Sequence, residues 1–177
     1  MAGHLLCIAI PVPEPWGSVI DTARQRLQPG RRHMAAHITV IPPFRVTSEE
    51  LAPLIDDVAR DLGACHPFTL ELRGTANFAG AQGTVYLRVV AGSPECESLR
   101  DRLLDGLGEH ARPDSSRHPM VPHVTLVNRA DAATMERAAT AFDGFEARFR
   151  VDRLCVYELG ADGWAIITTA GFRDTFA

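Results

Sequence analysis

Two short segments of the chain repeat one arrangement of chemically active side chains. The sequence HITV begins at His37, and the sequence HVTL begins at His123. Each opens a short apolar run that predicts a strand, and side chains two residues apart in a strand point to the same face. We therefore expect His37 to share a face with Thr39, and His123 to share one with Thr125, with the intervening apolar residues facing a core.

This pairing of residue types suits proton transfer at a phosphate. Imidazole has an ordinary pKa of about 6.5, so it can both accept and donate a proton near neutral pH. Two opposed histidines can act as general base and general acid in one step, and threonine hydroxyls can donate hydrogen bonds to an anion between them. A single H-x-T motif is common by chance. Two copies at corresponding points of the chain indicate in-line displacement at phosphorus, for which no metal is required.

The motifs lie within an alternation of predicted strands and helices. A Thr47-to-Glu50 capping box begins one helix, which Gly63 ends, and Pro42-Pro43 is expected to end the first motif strand. Helices are predicted over 15–27, 47–62, 93–108 and 131–142. Strands are predicted over 5–12, 37–41, 68–73, 84–90, 123–127, within 145–159, and over 164–169.

The order of these elements indicates an internal duplication. Strand, helix, short strand beginning with histidine, helix and strand follow one another in residues 5–80 and again in 84–170, so that Phe68 corresponds to Phe149. We predict a single α+β domain over residues 1–177 with two pseudo-symmetric lobes. Each lobe would have a small, mostly antiparallel sheet with helices on its outer face, and both motifs would face a central cleft. The alternative is that an α+β chain of this length divides into similar halves by coincidence.

Composition limits the location and the partners of the protein. The 177 residues are 46% hydrophobic and have a formal net charge of −4. No apolar run reaches the roughly 20 residues that span a bilayer, and we expect a cytoplasmic monomer that contacts no membrane. A net negative charge disfavours binding to long duplexes. The chain contains no lysine, which excludes ligation through a lysyl–nucleotide intermediate and, with many Ala and Arg residues, indicates a GC-rich bacterial genome. Cys7 and Cys155 lie in apolar runs and are expected to be buried, reduced thiols.

The two motifs and their separation resemble the 2H phosphoesterase superfamily, also called the LigT-like or 2′-5′ RNA ligase family. The likeness covers nearly the whole chain, including the opening strand LLCIAIPVP, the Pro-His pair at 122–123 and the closing strand with Trp164. It implies a bilobal α+β fold, no cofactor, and metal-independent hydrolysis of 2′,3′-cyclic phosphates at RNA or nucleotide ends to 2′-phosphomonoesters. It also implies that His37 donates a proton to the leaving oxygen, that His123 activates water, and that Thr39 and Thr125 hold the phosphate.

Further residues near the motifs are candidates for substrate binding. Arg45 and Arg129 follow the two histidines and can either emerge at the same rim, where a guanidinium suits a phosphate, or be solvated arginines of a loop. Phe44 can stack on a base or fill an apolar gap. The segment from Ile41 to Arg45 departs from the commoner Leu-Gly-containing sequence, which affects one cleft wall and with it the substrate.

Three alternatives to the cyclic phosphodiesterase stay open. The same site can act on another cyclic or 2′-5′-linked phosphodiester. The cleft can bind an RNA end or a nucleotide without catalysis, as a sensor. A metal-dependent hydrolase is the third, with His33, His37, His118 and His123 as ligands. Against it, His37 begins a strand, so the four-residue spacing does not bring it beside His33 as it would on a helix, and neither motif contains a carboxylate.

Overall fold

The computed structural model describes residues 3–31, 33–78, 83–107 and 119–173. Its strands are β1 (Gly3–Pro11), β2 (His37–Thr47), β3 (Phe68–Asn77), β4 (Val85–Ala91), β5 (His123–Val127), β6 (Glu146–Val151), β7 (Arg153–Gly160) and β8 (Gly163–Gly171). Its helices are α1 (Trp16–Leu27), α2 (Ser48–Leu62), α3 (Ser93–Leu107) and α4 (Ala132–Ala141). The predicted element types are confirmed, but β2 and β3 are longer than predicted and the segment 145–159 contains two strands. No helix of the described residues is long and apolar enough to cross a membrane.

The strands form two antiparallel sheets, as expected for an α+β fold. The first sheet has the order β2-β1-β7-β8, and the second has the order β5-β4-β3-β6. The two motif strands, β2 and β5, are therefore edge strands, and they contact each other across the middle of the molecule. Helices α2 and α3 pack together over the first sheet, while α1 and α4 pack together over β5 of the second.

The sheets do not correspond to contiguous halves of the chain. We expected residues 5–80 and 84–170 to form one lobe each, with Phe68 equivalent to Phe149. Instead β3 belongs to the second sheet and pairs directly with β6, where Leu70 lies opposite Phe149. The first sheet is completed by β7 and β8 from the end of the chain. Helix α1 likewise contacts β5 of the second sheet and α3 contacts β2 of the first, so each lobe contains elements of both halves.

Strand β2 is longer than its sequence indicates. We expected Pro42-Pro43 to end it, but it continues to Thr47 and stays paired with β1 as far as Gly3. Proline cannot donate a ladder hydrogen bond, and it is tolerated in an edge strand because one side of the strand needs no partner. The register shifts opposite Leu6 to Ala9 absorb the extra residues of β2.

Strand β1 is apolar from Leu5 onwards because both faces of this part are covered. Leu6, Ile8 and Ile10 belong to the main core between the sheets and the helices. Cys7 and Ala9 point the other way, into a smaller cluster that also contains Met34, Cys155 and Tyr157. Both cysteines are buried, as predicted. We call the side of each sheet opposite the main core its cleft face; on the first sheet it is formed by Cys7, Ala9, Thr39, Cys155 and Tyr157.

The N-terminus of α2 has the predicted capping box. Thr47 Oγ1 accepts from the backbone N–H of Glu50, whose carboxylate accepts from the backbone N–H of Thr47. We expect Thr47→Ala to lower the free energy of unfolding by about 1 kcal/mol, because helical N–H groups lose their acceptor. Urea denaturation measures this difference. Thr22→Ala, at an exposed position inside α1, is the matched control, and an equal loss there would contradict the capping account.

Candidate active site

His37 is the first residue of β2, and its ring is held by the backbone. Its Nδ1 lies 2.6 Å from the carbonyl oxygen of Ala35, two residues earlier. A carbonyl oxygen can only accept a hydrogen bond, so Nδ1 must carry a proton and donate it. In the neutral ring Nε2 is therefore unprotonated, with its lone pair free.

His123 is held in the same way at the start of β5. Its Nδ1 lies 2.7 Å from the carbonyl oxygen of Val121, again two residues earlier. The same argument leaves Nε2 of His123 as the free, proton-accepting nitrogen of the neutral ring. When either ring is protonated, its Nε2–H becomes a donor at the same point. The two rings are thus equipped to take up or release a proton at Nε2.

Each threonine shares a face with its histidine, as the alternation of residue types predicts. Ile38 and Val124 are fully buried in the main core, whereas the flanking histidines and threonines are half-buried on the cleft faces. Thr39 lies opposite Ala9 in β1, and Thr125 lies opposite Tyr86 in β4. The Cys7 thiol of the same cleft face donates to the backbone carbonyl of Ile41 at 3.4 Å. Two hydroxyls and two imidazoles therefore face the space between the sheets.

Without a bound ligand, the surroundings of both imidazoles favour their neutral form. Burial lowers the pKa of His37 to about 4, although the hydrogen bond to Ala35 opposes this change, and the positive charges of Arg24 and of a protonated His123 lower it further. Burial also lowers the pKa of His123, against the hydrogen bond to Val121. The charge of His123 acts on His37, so the two rings lie within electrostatic range of each other. An anion bound between them would raise both pKa values.

Aromatic side chains that the sequence analysis missed line both halves of the site. The ring centroid of His123 lies 4.8 Å from that of Phe78 and 5.1 Å from that of Tyr86. Phe78 and Tyr86 stack on each other at 4.3 Å. On the other side, the His37 centroid lies 6.2 Å from that of Tyr157. The period-two alternation of β4 could have placed Tyr86 on a cleft face, but its contact with His123 depends on which strands pair.

A charged pair of α1 holds the segment that leads into β2. Asp21 accepts from the backbone N–H of Ala36 at 3.0 Å, and Arg24 donates to the carbonyl of Met34 at 3.0 Å. The two side chains also bond each other at 2.9 Å, and Arg24 is only 4% exposed. This pair fixes the residues on both sides of Ala35, whose carbonyl orients His37. No pattern in the sequence indicates the pair, because its contacts span up to fifteen residues.

The same segment is tied to the far end of β5. Gln28 Nε2 donates to the backbone carbonyl of Asn128 at 3.0 Å, and the backbone N–H of Asn128 donates to Gln28 Oε1 at 3.2 Å. Arg31 donates to the same carbonyl at 2.5 Å, and Thr84 donates to Asn128 Oδ1 at 3.0 Å. The loop before one motif strand is thus bonded to the residue after the other.

The structure corrects the expectations for Arg45 and Phe44. Arg45 lies opposite Leu5 in β1, whereas His37 lies opposite Pro11. Six residues of strand separate these positions, about 20 Å, so Arg45 is at the other end of β2 and shares no rim with His37. Phe44 is 5% exposed in the main core and fills an apolar gap, so it cannot stack on a base. Arg45 is near His37 in sequence but far from it in space, because β2 continues past Pro42-Pro43.

Arg129 is also distant from the histidine of its motif. His123 lies opposite Arg88 in β4, while Ala130, directly after Arg129, donates its N–H to the carbonyl of Gly83. Arg88 is five positions after Gly83, which corresponds to about 17 Å of extended chain. Arg129 is therefore exposed beyond the end of β5 that is opposite to His123. The expectation that Arg129 shares a rim with His123 is wrong.

Beside the histidines and threonines, the cleft face of the first sheet carries the Cys7 thiol. Burial raises the pKa of Cys7 to about 12, so its sulfur stays protonated at neutral pH and is a poor nucleophile. Among the residues that the structure describes, no group of three or more His, Cys, Asp or Glu is arranged to hold a metal ion. Of the four histidines considered for a metal site, His118 lies outside those residues.

Comparison with known families agrees with the fold and the motifs. The model of the 2′-5′ RNA ligase superfamily matches residues 11–163, which include both motifs. The chain belongs to this superfamily. The resemblance to the 2H phosphoesterases is thereby confirmed, and with it a phosphoesterase activity in general terms.

Relatives and solved structures point the same way. The chain is 24% identical over 152 residues to a protein of Oceanobacillus iheyensis that bears the name "Putative phosphoesterase", covering 84% of this chain and 86% of that one. The structure of E. coli LigT complexed with 3′-AMP superimposes with a TM-score of 0.77 at 21% identity, covering 98% of this chain and all of that chain. TT0787 of Thermus thermophilus gives a TM-score of 0.68 at 22% identity, covering 97% and 99%. At these identities the structures show the fold.

The charged pair of α1 yields a test of how His37 is oriented. We expect Asp21→Ala to lower kcat/KM for a phosphodiester such as bis(p-nitrophenyl) phosphate by about tenfold or more, because a loosened carbonyl at Ala35 misplaces His37. Loss of the carboxylate also leaves the charge of Arg24 unbalanced near His37, so the pKa of His37 should fall further and the limb of the pH–rate profile that reports His37 should move to lower pH.

The matched control is Asp57→Ala. Asp57 forms the same kind of ion pair three residues from Arg60, but on an exposed face of α2. We expect its removal to change neither the rate nor the pH profile. If Asp21→Ala keeps the wild-type profile and rate while remaining folded, the pair does not orient the site.

Proposed function

We propose that the protein is a metal-independent phosphodiesterase that hydrolyses 2′,3′-cyclic phosphates of RNA ends or nucleotides to 2′-phosphomonoesters. The observation that supports this most directly is the matched hydrogen bonding of His37 and His123. Both rings have a free Nε2 on the cleft side, each with a threonine hydroxyl two residues further along the same face. Two nitrogens of this kind suit a reaction that needs one proton removed and one delivered.

In the proposed reaction, water attacks phosphorus in line with the bond to the ribose 3′ oxygen. Following the resemblance, His123 accepts the proton of the attacking water at Nε2. His37, protonated at Nε2 when the anion is bound, delivers its proton to the departing 3′ oxygen. The new P–O bond forms as the P–O3′ bond breaks, giving a 2′-phosphomonoester and a free 3′ hydroxyl.

The threonines complete the phosphate site in this proposal. Thr39 and Thr125 donate hydrogen bonds to the non-bridging oxygens, whose charge grows in the transition state. The low pKa values of the two histidines are consistent with this reaction. They favour neutral rings before binding, and the negative charge of the bound phosphate then favours the uptake of a proton from solvent by one of them.

Solved structures with this fold contain nucleotides or phosphate. Structures of E. coli LigT contain 3′-AMP, ATP, NADP+ or phosphate, and Usb1 of Kluyveromyces marxianus, with a TM-score of 0.50, contains uridine monophosphate. In the present chain the stacked rings of Phe78 and Tyr86 beside His123 offer an aromatic surface to a base. We therefore place a nucleotide or an RNA end, rather than a free phosphate ester, in the cleft.

Hydrolysis of the four nucleoside 2′,3′-cyclic phosphates in excess EDTA tests the proposal. We expect turnover by the wild type with a bell-shaped pH profile and the 2′-phosphate as product. His37→Ala and His123→Ala should each lower kcat by about 10²-fold or more, because each removes a proton-transfer group. His66→Ala, at an exposed histidine outside the cleft, is the matched control and should leave the rate unchanged.

Two results would contradict the proposal in different ways. Activity that disappears in EDTA and returns with added metal would contradict the two-histidine mechanism. Tight binding of the cyclic nucleotides without turnover would favour a sensor, and turnover of another cyclic or 2′-5′ diester alone would change the substrate.

A further inference from the structure

Arg88 lies beside His123 on the cleft face of the second sheet. The two residues are directly opposite each other in β4 and β5, and opposite residues of an antiparallel pair share a face. The next pair, Leu87 and Val124, is fully buried in the main core, so Arg88 points to the other side. Tyr86, two residues before Arg88, contacts the His123 ring and confirms which face this is.

The charge of Arg88 has no counter-ion within the protein as described. Its side chain is exposed, and no carboxylate of the described residues forms an ion pair with it. Two other arginines of the same sheet do form ion pairs within the protein. Arg148 lies 3.2 Å from Glu71, and Arg73 lies 4.0 Å from Glu146, each across neighbouring strands. Arg88 is thus free to meet an anion from outside.

The backbone of β3 leaves room for the Arg88 guanidinium. Gly74 lies in an irregular part of β3 with a φ of +68°, which favours glycine. A Cβ atom there would lie 2.9 Å from Nη2 of Arg88 and 3.6 Å from its Nε. The guanidinium therefore extends over β3, away from β5. Since neighbouring strands are about 4.8 Å apart, it lies roughly 10 Å from the strand of His123.

The position of the guanidinium over β3 limits which group of a ligand Arg88 can bind. A phosphate held by the guanidinium over β3 is displaced from the strand of His123 and therefore from a phosphorus that reacts between the two histidines. The guanidinium therefore suits a second anionic group of the same ligand. A nucleotide with a cyclic phosphate at one end of its ribose has such a group when its 5′ oxygen carries a phosphate.

Resting on the proposed function, we propose that Arg88 binds the 5′-phosphate of the nucleotide that carries the cyclic phosphate. The protein then prefers a 5′-phosphorylated nucleotide or an RNA end, where that phosphate links to the preceding residue, over a substrate with a 5′ hydroxyl. A planar guanidinium suits a phosphate of either kind, because two N–H groups can donate to two of its oxygens.

The first test compares kcat/KM for uridine 2′,3′-cyclic phosphate, its 5′-phosphorylated form and the dinucleotide UpU with a terminal cyclic phosphate. We expect the wild type to prefer both phosphorylated substrates by about tenfold or more, chiefly through KM. Arg88→Met should bring this preference close to one, and Arg88→Lys should keep part of it. If only the 5′-phosphorylated mononucleotide is preferred, free nucleotides are the source, whereas a preference extending to UpU indicates RNA ends.

Arg45→Met is the matched control. Arg45 is likewise exposed on a strand, but it lies at the far end of β2 from the site. We expect it to keep the wild-type preference at low salt. A preference that survives in Arg88→Met, or no preference in the wild type, would overturn the assignment of Arg88.

Binding of products separates this inference from the proposed function. Calorimetry of uridine 2′-phosphate and uridine 2′,5′-bisphosphate needs no turnover. We expect the bisphosphate to bind the wild type about five- to tenfold more tightly, and Arg88→Met to bind both ligands with similar affinity. This difference can hold even if cyclic phosphates are not hydrolysed, while equal binding by the wild type would overturn the inference although hydrolysis is observed.

Discussion

In both motifs the backbone carbonyl two residues before the histidine accepts the Nδ1 proton of its ring. This hydrogen bond fixes the tautomer, and with it the nitrogen that faces the cleft. The rest of the fold places the two histidines that are held in this way opposite each other. The histidines begin the edge strands of two separate sheets, and those edges meet, so neither ring is covered by a further strand.

The two halves of the site reach similar chemistry through different supports. The segment before His37 is held from α1 by Asp21 and Arg24, and the positive charge of Arg24 is one reason why the pKa of His37 is low. His123 instead packs against an aromatic pair, and Arg88 lies opposite it in β4 with a guanidinium that extends over β3. The site is therefore symmetric in its histidines and threonines and asymmetric in the residues around them.

Local patterns predicted most of the elements and the two reacting faces. The alternation around His37 and His123 depends only on strand geometry, and the capping box at Thr47 depends only on neighbouring residues. Long-range pairing could not be predicted in this way. The membership of β3 in the second sheet depends on which strands meet, and the true position of Arg45 depends on an edge strand continuing through Pro42-Pro43. The contacts of Arg88 depend on the register of three strands.

The tautomers of His37 and His123 are the most direct test of this account. Two-dimensional ¹⁵N NMR of the imidazole rings, assigned with the two alanine variants, should show Nδ1 protonated and Nε2 unprotonated in both rings at pH 7. Because burial lowers both pKa values, each ring should become charged only below about pH 6.5, and His37 near pH 4. Protons on Nε2 of the neutral rings, or charged rings at pH 7 without a ligand, would contradict the central claim.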